Sequence, residues 1–305
     1  MKNTAARVGA PTLGVVGAGR AGTALALAAS SAGYRVVAVT SRDPLAAAHL
    51  ARSVGGATVP TPLAVVTAAD LTLLTVPDDA VTDTASEIAA SSAALRGRAV
   101  VHCAASLGRH ALDALRQRGA DVGVLHPLQA LAGAGSAALL RGSYFRVEAG
   151  GGLASDLHDL VAALGGRILE VPEEGRAVYH AAAVLAASGS LALLDTAVAL
   201  FEAAGVDRAD ARPALAALLQ GAATNATAGD AASALTGPVV RGDAGTIAAH
   251  LQALSPYPAA RQLYLTIALE TARLAGRDPA ELGLGPEPSE RRRVRRAVAP
   301  IAQVA

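Results

Sequence analysis

The ten residues LGVVGAGRAG (13–22) constrain this chain more than any other stretch. An apolar, β-branched run leads into three glycines, Gly17, Gly19 and Gly22, and an alanine-rich helical stretch follows. Spaced G-x-G-x-x-G between a strand and a helix, the glycines have separate physical roles. Gly17 permits the tight turn, Gly19 lets the backbone approach a pyrophosphate, and Gly22 lets the helix lie against the strand. Ala18, Arg20 and Ala21 stand between them, where the helix N-terminus faces the phosphate charge. A glycine-rich turn without a ligand is the bland alternative, and the strand–turn–helix context weighs against it.

Short apolar runs alternate with alanine-rich helical stretches from residue 13 to about 149. They are LGVVG (13–17), RVVAVT (35–40), LTLLTV (71–76), AVVHC (99–103), DVGVLH (121–126) and YFRVEA (144–149), the last expected to close the sheet. Continuous apolar runs separated by helices indicate parallel strands covered on both faces, a doubly wound α/β Rossmann domain. After residue 150 only RILEV (167–171) reads as a strand. Helices are expected over 175–204, 209–227, 244–254 and 258–275, with Asp243 as an N-cap. The domains are therefore expected at 1–150 (nucleotide-binding) and 151–305 (a smaller, all-helical substrate and dimerisation domain).

Hydrophobic residues make up 52% and charged residues 17% of the 305, enough apolar material for a large core. A formal net charge of +1 gives no reason to expect nucleic acid or an acidic membrane as partner. The single cysteine, Cys103, rules out an internal disulfide and a cysteine-based zinc site, and no metal is expected. It suits a cytoplasmic location. Residues 2–30 resemble a signal peptide superficially but read better as the first strand and helix. Residues 181–200 are diluted by Ser188, Gly189, Ser190, Asp195 and Thr196, and are expected to be buried within protein rather than to span a membrane. The basic run ERRRVRR (290–296) reads as a solvated tail.

The second strand ends in Thr40, Ser41 and Arg42 rather than in an acidic residue. Ser41 can hydrogen-bond a phosphate and Arg42 can pair with one, which favours NADP over NAD. Asp43 is expected to cap the helix beginning at Pro44. Ligands collect at the carboxyl ends of such strands. Val76, Pro77 and Asp78 are candidates to line the nicotinamide ribose, with Ala104, Ala105 and Ser106 offering backbone groups to the ring. His126, with Gln129 beside it, is expected in a cleft, and His102 reads as structural.

In this order the chain carries GAGRAG, TVPDDAV, HPLQAL, GSYFRVEA, YHAAAVLA and LTGPVVRGD. The set resembles a Rossmann-like family with a helical second domain of unknown function, similar to pyrroline-5-carboxylate reductases and 6-phosphogluconate dehydrogenase-like enzymes. Some members are regarded as ketopantoate reductases. The resemblance covers about residues 12–275. It implies that the helix starting near 175 presents its beginning to the nicotinamide, and that His180 falls where lysine-using relatives place a proton donor. Ser188, in helical line with His180 and Val184, stands where many members carry asparagine. It also implies a substrate-carboxylate turn in which Thr236 and Gly237 supply donors and Arg241 binds in a bidentate way. A homodimer is expected.

The only lysine, Lys2, precedes the first strand and is not a natural cleft donor. His180 is the first candidate for the proton, His126 the second and Tyr179 an outside choice, since histidine titrates near neutrality. For substrate binding, Asn225 and His250 are weaker candidates than the Thr236–Arg241 turn, and His250 reads as packing on its helix. The leading expectation is an NADPH-dependent reductase of a small 2-oxo acid, with ketopantoate, and so the pantothenate pathway, as the most plausible case. The alternatives are an imine reductase of the pyrroline-5-carboxylate type, whose substrate can arrive protonated, and a non-catalytic NADP-binding sensor.

Overall fold

The computed structural model describes residues 9–284 except 228 and 230. Lys2 and the basic run 290–296 lie outside the described residues. The chain divides into two compact units, Met1–Ser188 and Gly189–Ala305. The division falls after Ser188, where the sequence suggested 150/151.

The first unit holds an eight-stranded sheet: β1 (Leu13–Val16), β2 (Val36–Thr40), β3 (Ala57–Thr58), β4 (Leu71–Leu74), β5 (Ala99–His102), β6 (Asp121–Leu128), β7 (Tyr144–Glu148) and β8 (Arg167–Ile168), in spatial order 3-2-1-4-5-6-7-8. Chain direction from strand to strand reverses its progress between β1 and β4, so a crevice opens at the carboxyl ends of those strands. Helices α1 (Arg20–Ser31), α2 (Pro44–Val54), α3 (Pro62–Ala68), α4 (Val81–Ala89) and α5 (Asp113–Gln117) follow in chain order, then α6 (Gly151–Ala163). Leu13, Val15, Leu71, Leu73 and Leu125 point to a core closed by Leu25, Leu50 and Leu157, on α1, α2 and α6. Val16, Leu74, Val100 and Val122 point the other way, against Val65, Ile88 and Leu115 of α3, α4 and α5. Burial on both faces is what the unbroken apolar runs require.

The expectation of an all-parallel sheet needs one correction. β7 runs antiparallel to β6, with His126 opposite Arg146. The connection between them holds a short 3₁₀ segment, Ala134–Leu140, packed on α1, and no crossover helix. Parallel pairing needs a long crossover, so the strand turns back instead. Nor does β7 close the sheet: β8 adds a further parallel strand beyond it.

The long helix begins as α7 (Arg176–Val184), passes a π-helical turn at Leu185–Gly189 and continues as α8 (Ser190–Ala203). The second unit holds α8, α9 (Arg208–Thr227), α10 (Ala231–Ala234), α11 (Pro238–Arg241), α12 (Ala244–Ala253) and α13 (Pro258–Leu274). Val198 of α8 packs with Ala211 and Leu215 of α9. Val239, Ile247, Ala268 and Ala272 form a separate small core across α11–α13. The helix Glu173–Ala203 is long and apolar enough to cross a membrane, and only 6% of its most apolar window is buried. The expectation that it is buried within the chain is corrected: Leu185, Leu191, Leu193 and Phe201 remain exposed.

Gly22 sets the spacing of α1 from the sheet. A Cβ there would collide with the Gly17 carbonyl oxygen and Thr75 Oγ1. Neither can retreat easily, because Thr75 Oγ1 donates to the Gly17 carbonyl at 2.6 Å and its N–H to Val16 at 2.8 Å. Gly22→Ala is therefore expected to lower unfolding free energy by about 1–3 kcal/mol, the range for overpacking. Urea midpoints of the two proteins check this, and equal midpoints would contradict it.

Candidate functional site

The glycine turn is built as its spacing implies. Gly17 has φ +105°, and a Cβ there would stand 2.7 Å from the Thr75 carbonyl oxygen. Its N–H donates to Thr40 O at 2.8 Å, which joins the turn to the end of β2. Gly19 differs: a Cβ there would meet nothing within 4 Å, so its backbone borders open space. Gly19 is also the N-cap of α1, with no side-chain cap and no acidic residue in the first turn. Orphan N–H groups at an open helix N-terminus fit a pyrophosphate.

At the end of β2, Asp43 accepts hydrogen bonds from the N–H groups of Leu45 (2.9 Å) and Ala46 (3.2 Å) and so caps α2. Its charge is engaged there. Arg42 is exposed, and half-buried Ser41 accepts the Asp43 N–H on its Oγ at 3.4 Å.

Two further strand ends meet across the crevice, where Ser106 Oγ donates to Asp78 Oδ2 at 2.9 Å. The loop after β5 is held from several sides. Buried His102 accepts the Ala104 N–H on Nδ1 at 3.2 Å, so its other ring nitrogen, 3.1 Å from Gly108 O, donates. Burial pushes the His102 pKa down, in keeping with this neutral tautomer. Burial and both ring hydrogen bonds fit the structural reading of His102, and the sequence assigned no role to Arg146.

Arg146 on β7 is only 2% exposed. Its Nη2 donates to Leu107 O (2.7 Å) and Ala104 O (3.3 Å), and its Nη1 to Glu148 Oε2 (3.2 Å). Glu148 also accepts the Arg109 N–H at 3.1 Å and lies 3.7 Å from Arg176 Nη1 at the start of α7.

Where β6 ends and α7 begins, a cavity of about 690 Å³ is lined by His126, Pro127, Leu128, Gln129, Leu169, Tyr179, His180, Val184 and Ser188, with alanines between them. The structure therefore brings five residues singled out in the sequence, His126, Gln129, Tyr179, His180 and Ser188, to one cavity. His126 Nδ1 and Tyr179 Oη are hydrogen-bonded at 2.8 Å, their rings edge to face. Burial, with the Arg146 charge second, pushes the His126 pKa down to about 4, so its imidazole is neutral at physiological pH. Burial raises the Tyr179 pKa, opposed by Arg146. His180 is half-buried, and its Nδ1 has no hydrogen-bond partner. Gln129 is less available: it donates to Leu139 O and Ser143 Oγ and accepts the Ala130 N–H.

Within the second unit, Gly237 has φ +100° and opens α11, followed by exposed Arg241. Asp243 caps α12 by accepting from Thr246 N–H at 3.0 Å and Oγ1 at 2.7 Å. Thr236 is exposed beside Gly237. His250 is hydrogen-bonded to Tyr264 at 3.0 Å, a second histidine–tyrosine pair.

Residues 12–106 match the family described as NADP oxidoreductase, coenzyme F420-dependent, and residues 143–271 match the domain of unknown function DUF2520. The two matches follow one another along the chain, a Rossmann-type oxidoreductase domain and then a DUF2520 domain. The segment 12–106 is thus of the NADP-dependent oxidoreductase type. Similar folds include a Bacteroides fragilis protein described provisionally as an NADP oxidoreductase (24% identity, 87% of this chain and 98% of that one, TM-score 0.71). An imine reductase from Pseudomonas sp. is 19% identical (90% and 98%, 0.61), and a pyrroline-5-carboxylate reductase from Coxiella burnetii is 14% identical (91% and 99%, 0.58). No curated protein matches the chain.

The neutral state of His126 has a consequence for stability. In the unfolded chain it titrates near 6.5, and in the native chain near 4. Its contribution is complete above about pH 6.5 and is lost as pH falls toward 4, because the unfolded chain then takes a proton the native one refuses. Urea unfolding at pH 7.5 and pH 5.0 is expected to show a larger acid loss for the wild type than for His126→Gln. Equal losses would contradict the assignment.

Proposed function

We propose that this chain is an NADPH-dependent reductase of a small C=N substrate with an uncharged, apolar body. The observation that carries the reading is the cavity lining, which is apolar apart from His126, Gln129, Tyr179, His180 and Ser188 and includes no charged carboxylate, lysine or arginine. Bound NADPH supplies the hydride; Gly17–Gly22, Ser41 and Arg42 hold its phosphates, and the 76–78 and 104–106 loops border its nicotinamide end.

A ketone needs a proton as its alkoxide forms, whereas an iminium has already gained one. His126, neutral to about pH 4, is no acid near neutrality. In the tautomer that carries its proton on Nδ1, His126 donates to the Tyr179 oxygen and leaves the tyrosine hydroxyl to orient the substrate nitrogen or to donate to a carbonyl; in the other tautomer Tyr179 donates to His126. His180 lines the cavity and is the further donor candidate, although its unpartnered Nδ1 is itself buried. A carboxylate finds no counter-charge in this lining, so ketopantoate fits it less well than an imine.

The reading includes a cytoplasmic homodimer in which the exposed apolar faces of α8, α9 and α13, with Leu191, Leu218 and Leu269, are covered by a second copy.

The test follows NADPH oxidation at 340 nm with 2-methyl-1-pyrroline, pyrroline-5-carboxylate, ketopantoate and no substrate, on protein whose mass by light scattering is expected at twice 30.1 kDa. The uncharged imine is expected to turn over fastest. Tyr179→Phe is expected to cost any carbonyl substrate about 10²–10⁴-fold, the worth of a positioned acid, and the imine far less. Preference for ketopantoate would overturn the imine reading. NADPH binding with no turnover would favour the sensor.

A further inference from the structure

Arg146 has no part in the glycine fingerprint or the cavity lining, and the sequence assigns it no role beyond its place in GSYFRVEA, yet its guanidinium is buried in the first unit. A buried cation needs a reason. Placing one inside a protein is costly, and a well-packed apolar residue serves stability as well or better. Its contacts are with the loop after β5 and, on its own strand, with Glu148, which faces the start of α7. Its Nη2 holds the carbonyls of Ala104 and Leu107, on the loop after β5. Its Nη1 meets Glu148, which accepts the Arg109 N–H from the far end of the same loop. Glu148 also faces Arg176, one turn before Tyr179 on α7, and Arg176 is held by Glu173 at 2.7 Å. Gly108 completes the fit, since a Cβ there would collide with Arg176 Nη1.

We propose that Arg146 is a positioning residue that fixes the loop 104–108 and, through Glu148 and Arg176, keys the start of α7 to it. The nicotinamide side of the site and the Tyr179–His126 pair are thereby held at one separation. The assignment of the loop to the nicotinamide rests on the reductase reading; the mechanical link between loop and helix does not. Cross-strand pairing with His126 adds to the argument, because residues directly opposite in an antiparallel pair share a face. The Arg146 charge also opposes protonation of His126 and favours ionisation of Tyr179, so it acts on both members of the pair from behind.

The experiment compares Arg146→Lys, Arg146→Met and Glu148→Gln with the wild type. Amide hydrogen exchange is read by mass spectrometry with and without NADPH, and kcat and KM are measured with 2-methyl-1-pyrroline. In Arg146→Met, peptides covering 104–109 and 176–180 are expected to exchange at least about tenfold faster, while those of β1 and α1 do not change. kcat is expected to fall at least about tenfold, with KM changed less than about threefold. Arg146→Lys keeps the charge and reaches fewer acceptors, so it is expected to recover part of kcat. Glu148→Gln is expected to loosen the helix peptide more than the 104–107 carbonyl side.

Unchanged exchange at both segments, or faster exchange spread evenly over the sheet, would overturn the proposal. So would equal loss of kcat in the lysine and methionine variants alongside native exchange. If Arg146→Met does not fold, the lysine and glutamine variants carry the same comparison. If the wild type turns over no imine, the reductase reading fails, and the exchange data still decide whether Arg146 couples loop to helix.

Discussion

The carboxylate of Glu148 is where the first unit is joined. It ends β7, takes the N–H of Arg109 from the loop after β5, and stands between the guanidinium groups of Arg146 and Arg176. Three segments distant in sequence therefore depend on one half-buried negative charge. Removing it would leave Arg146 buried without a counter-ion, a cost of about 3–5 kcal/mol in comparable cases. A parallel sheet alone does not define a site at this edge. The ionic contact does, because it fixes where the loop after β5 and the start of α7 lie relative to β6.

That arrangement explains the character of the cavity. β6 delivers His126 at its carboxyl end, and α7 delivers Tyr179 and His180 from the other side. Partial burial of the His126–Tyr179 pair keeps the imidazole neutral and the phenol protonated. The chain holds one lysine, far ahead of the first strand in sequence, and the cavity has no charged lining. Such a site orients and desolvates more readily than it protonates. The proposed preference for a substrate that brings its own proton follows from that balance.

How far the sequence could be read depended on range. The Gly17–Gly19–Gly22 turn, the Asp43 and Asp243 caps and the buried strands were legible because each is decided within a few residues. The gathering of His126, Gln129, Tyr179, His180 and Ser188 was legible only through the resemblance and the rule that ligands collect at strand ends. The antiparallel turn of β7 was not legible, since YFRVEA reads the same in either direction. Arg146 was hidden for a related reason: an arginine in a strand near the sheet edge looks solvated, and its partners are carbonyls about forty residues away. Thr75, which ties the glycine turn to β4, carries no signal beyond a threonine after a strand. The open face of the long helix was misjudged because composition says that an apolar helix must be covered, and not by what.

The central claim, that hydride transfer here needs no acid from the protein when the substrate is already cationic, can be tested with a permanently charged iminium such as an N-methylated 1-pyrrolinium. kcat/KM with saturating NADPH would be measured from pH 6 to pH 9 beside the neutral parent imine. The account predicts a flat profile for the charged substrate, with the rate on the parent falling as its own iminium deprotonates. A rate on the charged substrate that falls tenfold per pH unit through this range would show that a protein group must still be protonated, and would contradict the account.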